Sequence, residues 1–369
     1  MKNKVFFLFL FAMVVQVSAQ SQNVNLVVGT YTNSCESKGI YVYNFDTATA
    51  DFSFKNVSEN VVSPSYLTVS KDNKFIYSVN ENGPESTVSA FRYAAETGKI
   101  ELLNKQNANG ADPCYIINDD KNVIVANYSG GNIAVFGKKS DGSIGEAKQM
   151  IQHYGKGPNA KRQEGPHVHM VHFSPDKKFV LSNDLGVDKV YSYAYNPDVP
   201  EVLKVTDSIA VKSGSGPRHL TFSNDGQFVY LLQELDASLT TFKYSNGKLK
   251  KIDETSILGK DFKGAFSSAD IHISPDGKFL YASNRGEAND ISIFEVRSNG
   301  KLKWKGQTST LGKGPRNFVI DPTGNFLLVA HQYSNNVVIF KRDQFTGALT
   351  DTGKRIELCS PVCLVFTEN

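Results

Sequence analysis

Apolar and polar positions alternate with a period of two in short runs along this chain, and the runs recur as one phrase roughly every fifty residues. The phrase reads Pro-x-x-φ-x-φ-(Ser/Asp)-x-(Asp/Thr)-Gly-x-Phe-φ-Tyr, with φ apolar, and its clearest copy runs from Pro217 to Tyr230. Looser copies begin at Pro64, Pro113, Val168, Ser268, Pro315 and Pro361. Each copy predicts an apolar strand, a turn of the Ser274-Pro275-Asp276-Gly277 kind, and a second strand such as residues 279–283. Pro and Asp suit the early positions of a type I turn, and Gly supplies the corner with positive φ. A third strand follows, as at residues 291–296, and a Gly turn (Asn299-Gly300 or Thr346-Gly347) leads to a weaker outer strand. No run in the mature chain has the 3.6 period of a long helix.

Four short strands in a repeat of this length predict an all-β fold, the β-propeller. Complete units begin near residues 64, 113, 166, 217, 268 and 315. Residues 361–366 form an inner strand with nothing after it, while residues 26–31 and 40–43 read as later strands with no inner strand before them. Joined, these fragments make one more unit. The sequence therefore predicts a seven-bladed β-propeller, a single domain over residues 20–369, with the ring closed by the C-terminal strand joining the N-terminal blade. Closure of this kind removes free sheet edges.

Residues 1–19 read as a separate object. Lys2 and Lys4 precede an apolar run from Val5 to Val15, and Val17-Ser18-Ala19 makes a small-residue cleavage site. This is the pattern of a secretory signal peptide, too short in its apolar part to span a bilayer. The expectation is an exported chain, periplasmic or secreted, with no membrane span left after cleavage. No Cys follows the cleavage site to carry a lipid anchor. Four cysteines, Cys35, Cys114, Cys359 and Cys363, can pair in three ways in an oxidising compartment, and their spacing does not choose among them. Cys114 and Cys363 read as strand residues of the core. A formal net charge of +3 on 369 residues argues against a nucleic-acid partner.

The repeat also maps a site. With the inner strands aligned on Ser70, Ser174, Ser223, Ser274 and Asp321, the fifth residue before each is Ser65, His169, Arg218, Ala269 and Arg316; Cys114 and Val362 hold that phase in the other two copies. With the second strands aligned on Phe75, Phe228, Phe279 and Phe326, the sixth residue after each is Glu81, Glu234, Arg285 and Gln332. Neighbouring strands are antiparallel, so the two columns meet at one rim of the channel. A His, several Arg and Glu residues gathered there from adjacent blades suit a small anionic or carbonyl ligand. His167 and His169 share a strand face, but no further ligand with metal spacing accompanies them, so no metal is assigned. Neither a G-x-S-x-G elbow, a Walker loop nor a dinucleotide fingerprint is present, and no cofactor is assigned. Ser129-Gly130-Gly131-Asn132 reads as an inter-strand turn, and His219, His272 and His331 as packing or hydrogen-bonding residues.

Gly29-Thr30-Tyr31-Thr32, Gly216-Pro217-Arg218-His219, Glu234-Leu235, the run from Ala269 to Gly277, and Ser283-Asn284-Arg285-Gly286 carry a resemblance over essentially the whole mature chain. It is to the seven-bladed-propeller lactonase family, which includes the propeller-type 6-phosphogluconolactonases and the carboxy-cis,cis-muconate lactonising enzymes. The resemblance implies a site of His169, Arg218, Glu234 and Arg285, four residues that the repeat map also selects, with Arg316 available to grip a carboxylate or phosphate. The expected activity is hydrolysis of a small sugar-type lactone by water attack, with acid/base help from His169 or Glu234 and arginine stabilisation of the oxyanion. An exported binding propeller for a small anion and a muconate-type lactonising isomerase are the alternatives. A calcium-dependent propeller lactonase is less favoured, because the mouth lacks an acidic cluster. Export separates this chain from cytoplasmic sugar phosphates, so an unphosphorylated aldonolactone is a reasonable substrate.

Overall fold

A computed structural model describes residues 22–58 and 60–368; the expected signal peptide lies outside the described residues. Among these, the strands form seven four-stranded antiparallel sheets, each of them one unit of the repeat. Apart from strands and turns there is a short 3₁₀ turn at Gly83–Glu85. Strand Pro361–Glu368 pairs with Asn23–Thr30, which continues through Ile40–Asp46 to Phe52–Ser58, so the chain's end completes the blade its beginning starts. That closing inner strand packs between the inner strands Pro315–Ile320 and Leu67–Val69, which makes the ring continuous.

The repeated phrase is the chemistry of blade building. At the inner turn the Ser274 hydroxyl donates to Asp276 Oδ1 at 2.5 Å and accepts from Phe279 N at 3.0 Å. Ser70, Ser174 and Ser223 make the same pair of bonds with Asp72, Asp176 and Asp225 and with the Phe that follows. The Phe and the outer-turn Gly belong together. A Cβ on Gly300 would come within 2.3 Å of the Phe228 ring, and Gly142, Gly247 and Gly347 stand likewise against Phe75, Phe179 and Phe279. Each Phe thus packs flat on the outer turn of the next blade, where only glycine leaves room and where φ is also positive. The Tyr two residues later reaches the same turn in two blades: Tyr77 donates to Gly142 O and Tyr281 to Gly347 O. Between blades, alternate side chains interlock as apolar layers, for example Val24, Leu26 and Val28 with Leu328, Ala330 and Ile339.

One disulfide, Cys35–Cys359, is present among the described residues, while Cys114 and Cys363 are buried, reduced strand residues. It ties the loop after Asn23–Thr30 to the segment leading into Pro361–Glu368, a covalent pin across the closing blade.

Candidate active site

The inner-strand column has a structural cause. The ladder between the first two strands of a blade slips at one place: between Pro113 and Tyr115, Val168 and Met170, Pro217 and His219, and Pro315 and Asn317. The residues left without a ladder partner are Cys114, His169, Arg218 and Arg316. Ala269, with Asp270, and Val362 are skipped in the same way. A β-bulge re-aims its extra side chain and releases it from the cross-strand register. The second column is equally regular. The backbone N–H of Tyr31, Glu81, Tyr128, Leu185, Glu234 and Gln332 each donates to the carbonyl two residues before the bulge position, at Ser360, Ser63, Asp112, His167, Gly216 and Gly314. Both columns therefore lie at one rim, as the alignment predicts.

At this rim a cavity of about 390 Å³ is lined by His169, Glu234, Arg285 and Arg316 together with Glu81, Asp112, Cys114, Tyr128, Ser129 and Arg162. Hollows of about 500 and 440 Å³ lie around the Ser70 turn, where the lining charges include the exposed Lys71 and Asp72. Glu234, 4 % exposed, is the centre of the rim cluster. Its Oε2 accepts from Arg218 Nε at 2.9 Å and lies 3.3 Å from Arg285 Nη2, while Oε1 accepts from Arg162 Nη2 at 2.6 Å. Burial alone would raise this carboxyl; Arg285, Arg218 and Arg162 outweigh it and hold the pKa at about 2. Burial lowers the Arg285 guanidinium to about 10, still charged at neutral pH. Arg285 is fixed from behind by Ser267 and by Ser268 O. Arg218, at 2 % exposure, does not line the cavity; it stands behind Glu234 as a buried strut.

His169 lies across the cavity, with Nδ1 3.7 Å from Cys114 Sγ and the ring edge-on to Tyr128. Among the described residues no carboxylate pairs with either nitrogen. Burial, with Arg218, His219 and Arg316 nearby, pushes its pKa well below the ordinary 6.5, so it is a neutral imidazole at pH 7. His167 is taken up elsewhere, stacked on Tyr128 and bonded to Tyr128 O and Glu164. Among the described residues no group of three or more His, Cys, Asp or Glu side chains is arranged to hold a metal ion. Arg316 sits 5.5 Å from the centre of the Tyr31 ring and makes no hydrogen bond or ion pair among the described residues. Its neighbour Glu81 is committed instead, accepting from Tyr31 OH at 3.0 and 3.2 Å and from the Ser65 hydroxyl. Burial raises the Glu81 carboxyl.

With that arrangement in view, the comparisons with known proteins are direct. Residues 25–366 match the family model described as lactonase, 7-bladed beta-propeller. The chain belongs to that family, and it is a lactone hydrolase. It is 37% identical over 332 residues to a 6-phosphogluconolactonase of Formosa agariphila, covering 88% of this chain and 94% of that one. It is 35% identical over 344 residues to the 6-phosphogluconolactonase of Bacillus subtilis, covering 92% and 97%. The solved structure of the Pseudomonas aeruginosa periplasmic gluconolactonase superposes with a TM-score of 0.88 at 34% identity, covering 94% of this chain and 99% of that one.

Four residues lining the cavity of this lactonase, Asp112, Tyr128, Ser129 and Arg162, escape the sequence reading, as does Tyr31, which packs against Arg316. Tyr31 and Tyr128 occupy the second-strand column, but their blades lack the Phe on which it was aligned. The signal was present in the spacing: Tyr128 is six residues after Asn122, the first residue of its strand. Arg162 has no repeat counterpart. It comes from the connection between strands Ile144–Gln152 and Val168–Phe173, and the unusual length of that loop is its only mark. The loop is anchored by buried Gln163, bonded to Leu185 O and Asp188, and by His153, bonded to Asp184 and Tyr193.

Proposed function

We propose that this lactonase acts after export on an unphosphorylated aldonolactone, and that His169, rather than Glu234, moves the proton. The observation that carries the reading is the contrast across one small cavity. A carboxylate clamped by three guanidiniums stands on one side, and an uncharged imidazole with no acidic partner on the other. The Glu234 oxygens are already engaged by Arg218, Arg162 and Arg285, whereas the uncharged His169 ring pairs with no carboxylate among the described residues and keeps a nitrogen to accept the water proton.

Water attacks the lactone carbonyl carbon while His169 takes one of its protons. The carbonyl π pair moves onto oxygen, and the oxyanion is met by Arg285 or Arg316, whose charge is fixed in advance and needs no reorganisation. Collapse breaks the carbon–ring-oxygen bond, and the imidazolium returns its proton to that oxygen. The environment that keeps His169 neutral makes its imidazolium a strong acid, which favours this return. Glu234 holds the arginines in place and offers acceptor lone pairs to the substrate hydroxyls. The product is a hydroxy acid whose carboxylate suits the uncommitted Arg316.

Glu81, Asp112 and Glu234 share the lining with the arginines, which disfavours a phosphate dianion and supports a neutral substrate. The Cys35–Cys359 disulfide supports an oxidising compartment. The test is acid release in a pH-stat from glucono-δ-lactone and its 6-phosphate, with spontaneous hydrolysis subtracted. The wild type should accelerate the unphosphorylated lactone more, and His169→Ala and Arg285→Ala should lose turnover while remaining folded. Full activity in both variants would sink the proposal.

A further inference from the structure

Behind the cavity wall a second buried carboxylate belongs to no step above. Asp270, 2 % exposed, is skipped at its bulge and reaches into the channel, where Oδ1 pairs with His219 Nδ1 at 2.8 Å. The other ring nitrogen, His219 Nε2, is 3.2 Å from Arg218 Nη1, and Arg218 Nε bonds Glu234 Oε2 at 2.9 Å. Carboxylate, imidazole, guanidinium and carboxylate thus form one hydrogen-bonded chain from the channel interior to the cavity. A guanidinium can only donate, so Nε2 of His219 must accept, and the ring proton must sit on Nδ1, facing Asp270. The two neighbours together dictate the tautomer.

We propose that His219 is a positioning residue: as a neutral acceptor oriented by Asp270, it fixes the Arg218 head group and, through it, the orientation of Glu234. The inference rests on the hydrolytic reading of the cavity given above. Among the described residues, Arg218 Nη1 is otherwise held only by Ala269 O. Burial and the adjacent Arg218 keep the His219 pKa near 4, so the acceptor persists at neutral pH. Asp270 is itself anchored from a neighbouring blade by Asn317 Nδ2 at 2.5 Å and from its own strand by His272 Nε2 at 3.0 Å. The chain, with its Asn317 anchor, therefore spans three consecutive blades.

Two substitutions separate positioning from packing. In His219→Gln the amide oxygen can stand where Nε2 stood and accept from Arg218. In His219→Asn the shorter amide can still meet Asp270 but leaves Arg218 without that acceptor. The expected result is kcat within about 3-fold of wild type for the Gln variant. The Asn variant should lose roughly 10- to 100-fold in kcat, the usual range for a lost hydrogen bond to a charged group, with KM little changed. An active Asn variant beside an inactive Gln variant, or equal losses in both, would overturn the proposal. Ring ¹⁵N shifts of His219 in the wild-type protein give a second readout that does not depend on turnover. Nδ1 should be protonated and Nε2 bare at pH 7, and the opposite tautomer or a charged ring would overturn the relay. If the wild type opens no lactone, the hydrolytic reading falls, while the ¹⁵N shifts still decide the tautomer.

Discussion

Replacing Glu234 with glutamine tests the electrostatic core of the site by a quantity other than activity. The substitution keeps the shape and removes the charge that three guanidiniums share. Two routes give the cost. A carboxyl lowered from 4.5 to about 2 corresponds to about 3 kcal/mol of preference for its charged form in the folded protein. Removing one partner of a buried ion pair independently costs about 3–5 kcal/mol. With an unfolding entropy near 2.1 cal/mol/K per residue, about 0.8 kcal/mol/K for the whole chain, a 3 kcal/mol loss lowers Tm by roughly 4 °C at pH 7. The folded pKa lies below the unfolded one, so this stabilisation is present above pH 4.5 and fades as pH falls through 2. Linkage leaves most of it at pH 4.5 and less than half at pH 3. The introduced amide imitates protonated Glu234, and every other carboxyl is common to the two proteins. The difference between their melting curves, followed by circular dichroism from pH 7 to pH 3, isolates this one group. A gap that stays constant with pH, or no gap at pH 7, would refute the assignment of Glu234 as a carboxylate stabilised by the arginine cage.

Other predictions concern the cavity's far side and the closing blade. Arg316→Ala should raise KM for the lactone roughly 10-fold with kcat within about 3-fold, and should weaken inhibition by the aldonate product; a pure kcat effect would remove Arg316 from ground-state binding. Reducing the disulfide, or Cys35→Ser, opens a loop spanning a sequence separation of 324 residues. The loss should be about 5 kcal/mol, a fall of roughly 6 °C in Tm by calorimetry; an unchanged Tm under reductant would show that strand pairing alone closes the ring.

The sequence carried the fold because the repeat phrase is itself the contact list. Ser and Asp make the inner turn, Phe and Gly make the contact between blades, and each appears at a fixed interval. The two columns that meet at the candidate site were legible for a related reason: columns of the alignment are rings in space. Legibility failed where the phrase itself was broken. Asn122 and Asn25 stand where other blades place Phe, which hid Tyr128 and Tyr31, and Arg162 belongs to a loop outside the repeat. The burial of Arg218 could not be read either. Its column marks the height along the channel, but whether a side chain reaches the cavity or stops behind Glu234 depends on what the neighbouring blades place around it. Pairing of Cys35 with Cys359 likewise follows from ring closure, which brings the two ends of the chain into one blade.

The bulge column also explains how one half of a symmetric ring can hold so much charge. Apart from Asp270, the inner-strand residues outside this column are bound by their ladder partners and by the blades on either side, which confines them largely to small or apolar types. At the bulge the residue has no ladder partner, so its identity can change without altering the register. In six blades that position is filled by Cys114, His169, Arg218, Ala269, Arg316 and Val362, and in the seventh Ser65 holds the same phase just ahead of strand Leu67–Val69. The two arginines stand in the blades on either side of Ala269, and Val362 and Ala269 show that the fold itself demands no charge there. The cost of assembling like charges is therefore met locally, by Glu234 against Arg162, Arg218 and Arg285 and by Tyr31 against Arg316. Such a division of labour lets the same scaffold carry other chemistries. In this chain it leaves the ladder to hold the ring, while the bulges and strand ends carry the side chains of the candidate site.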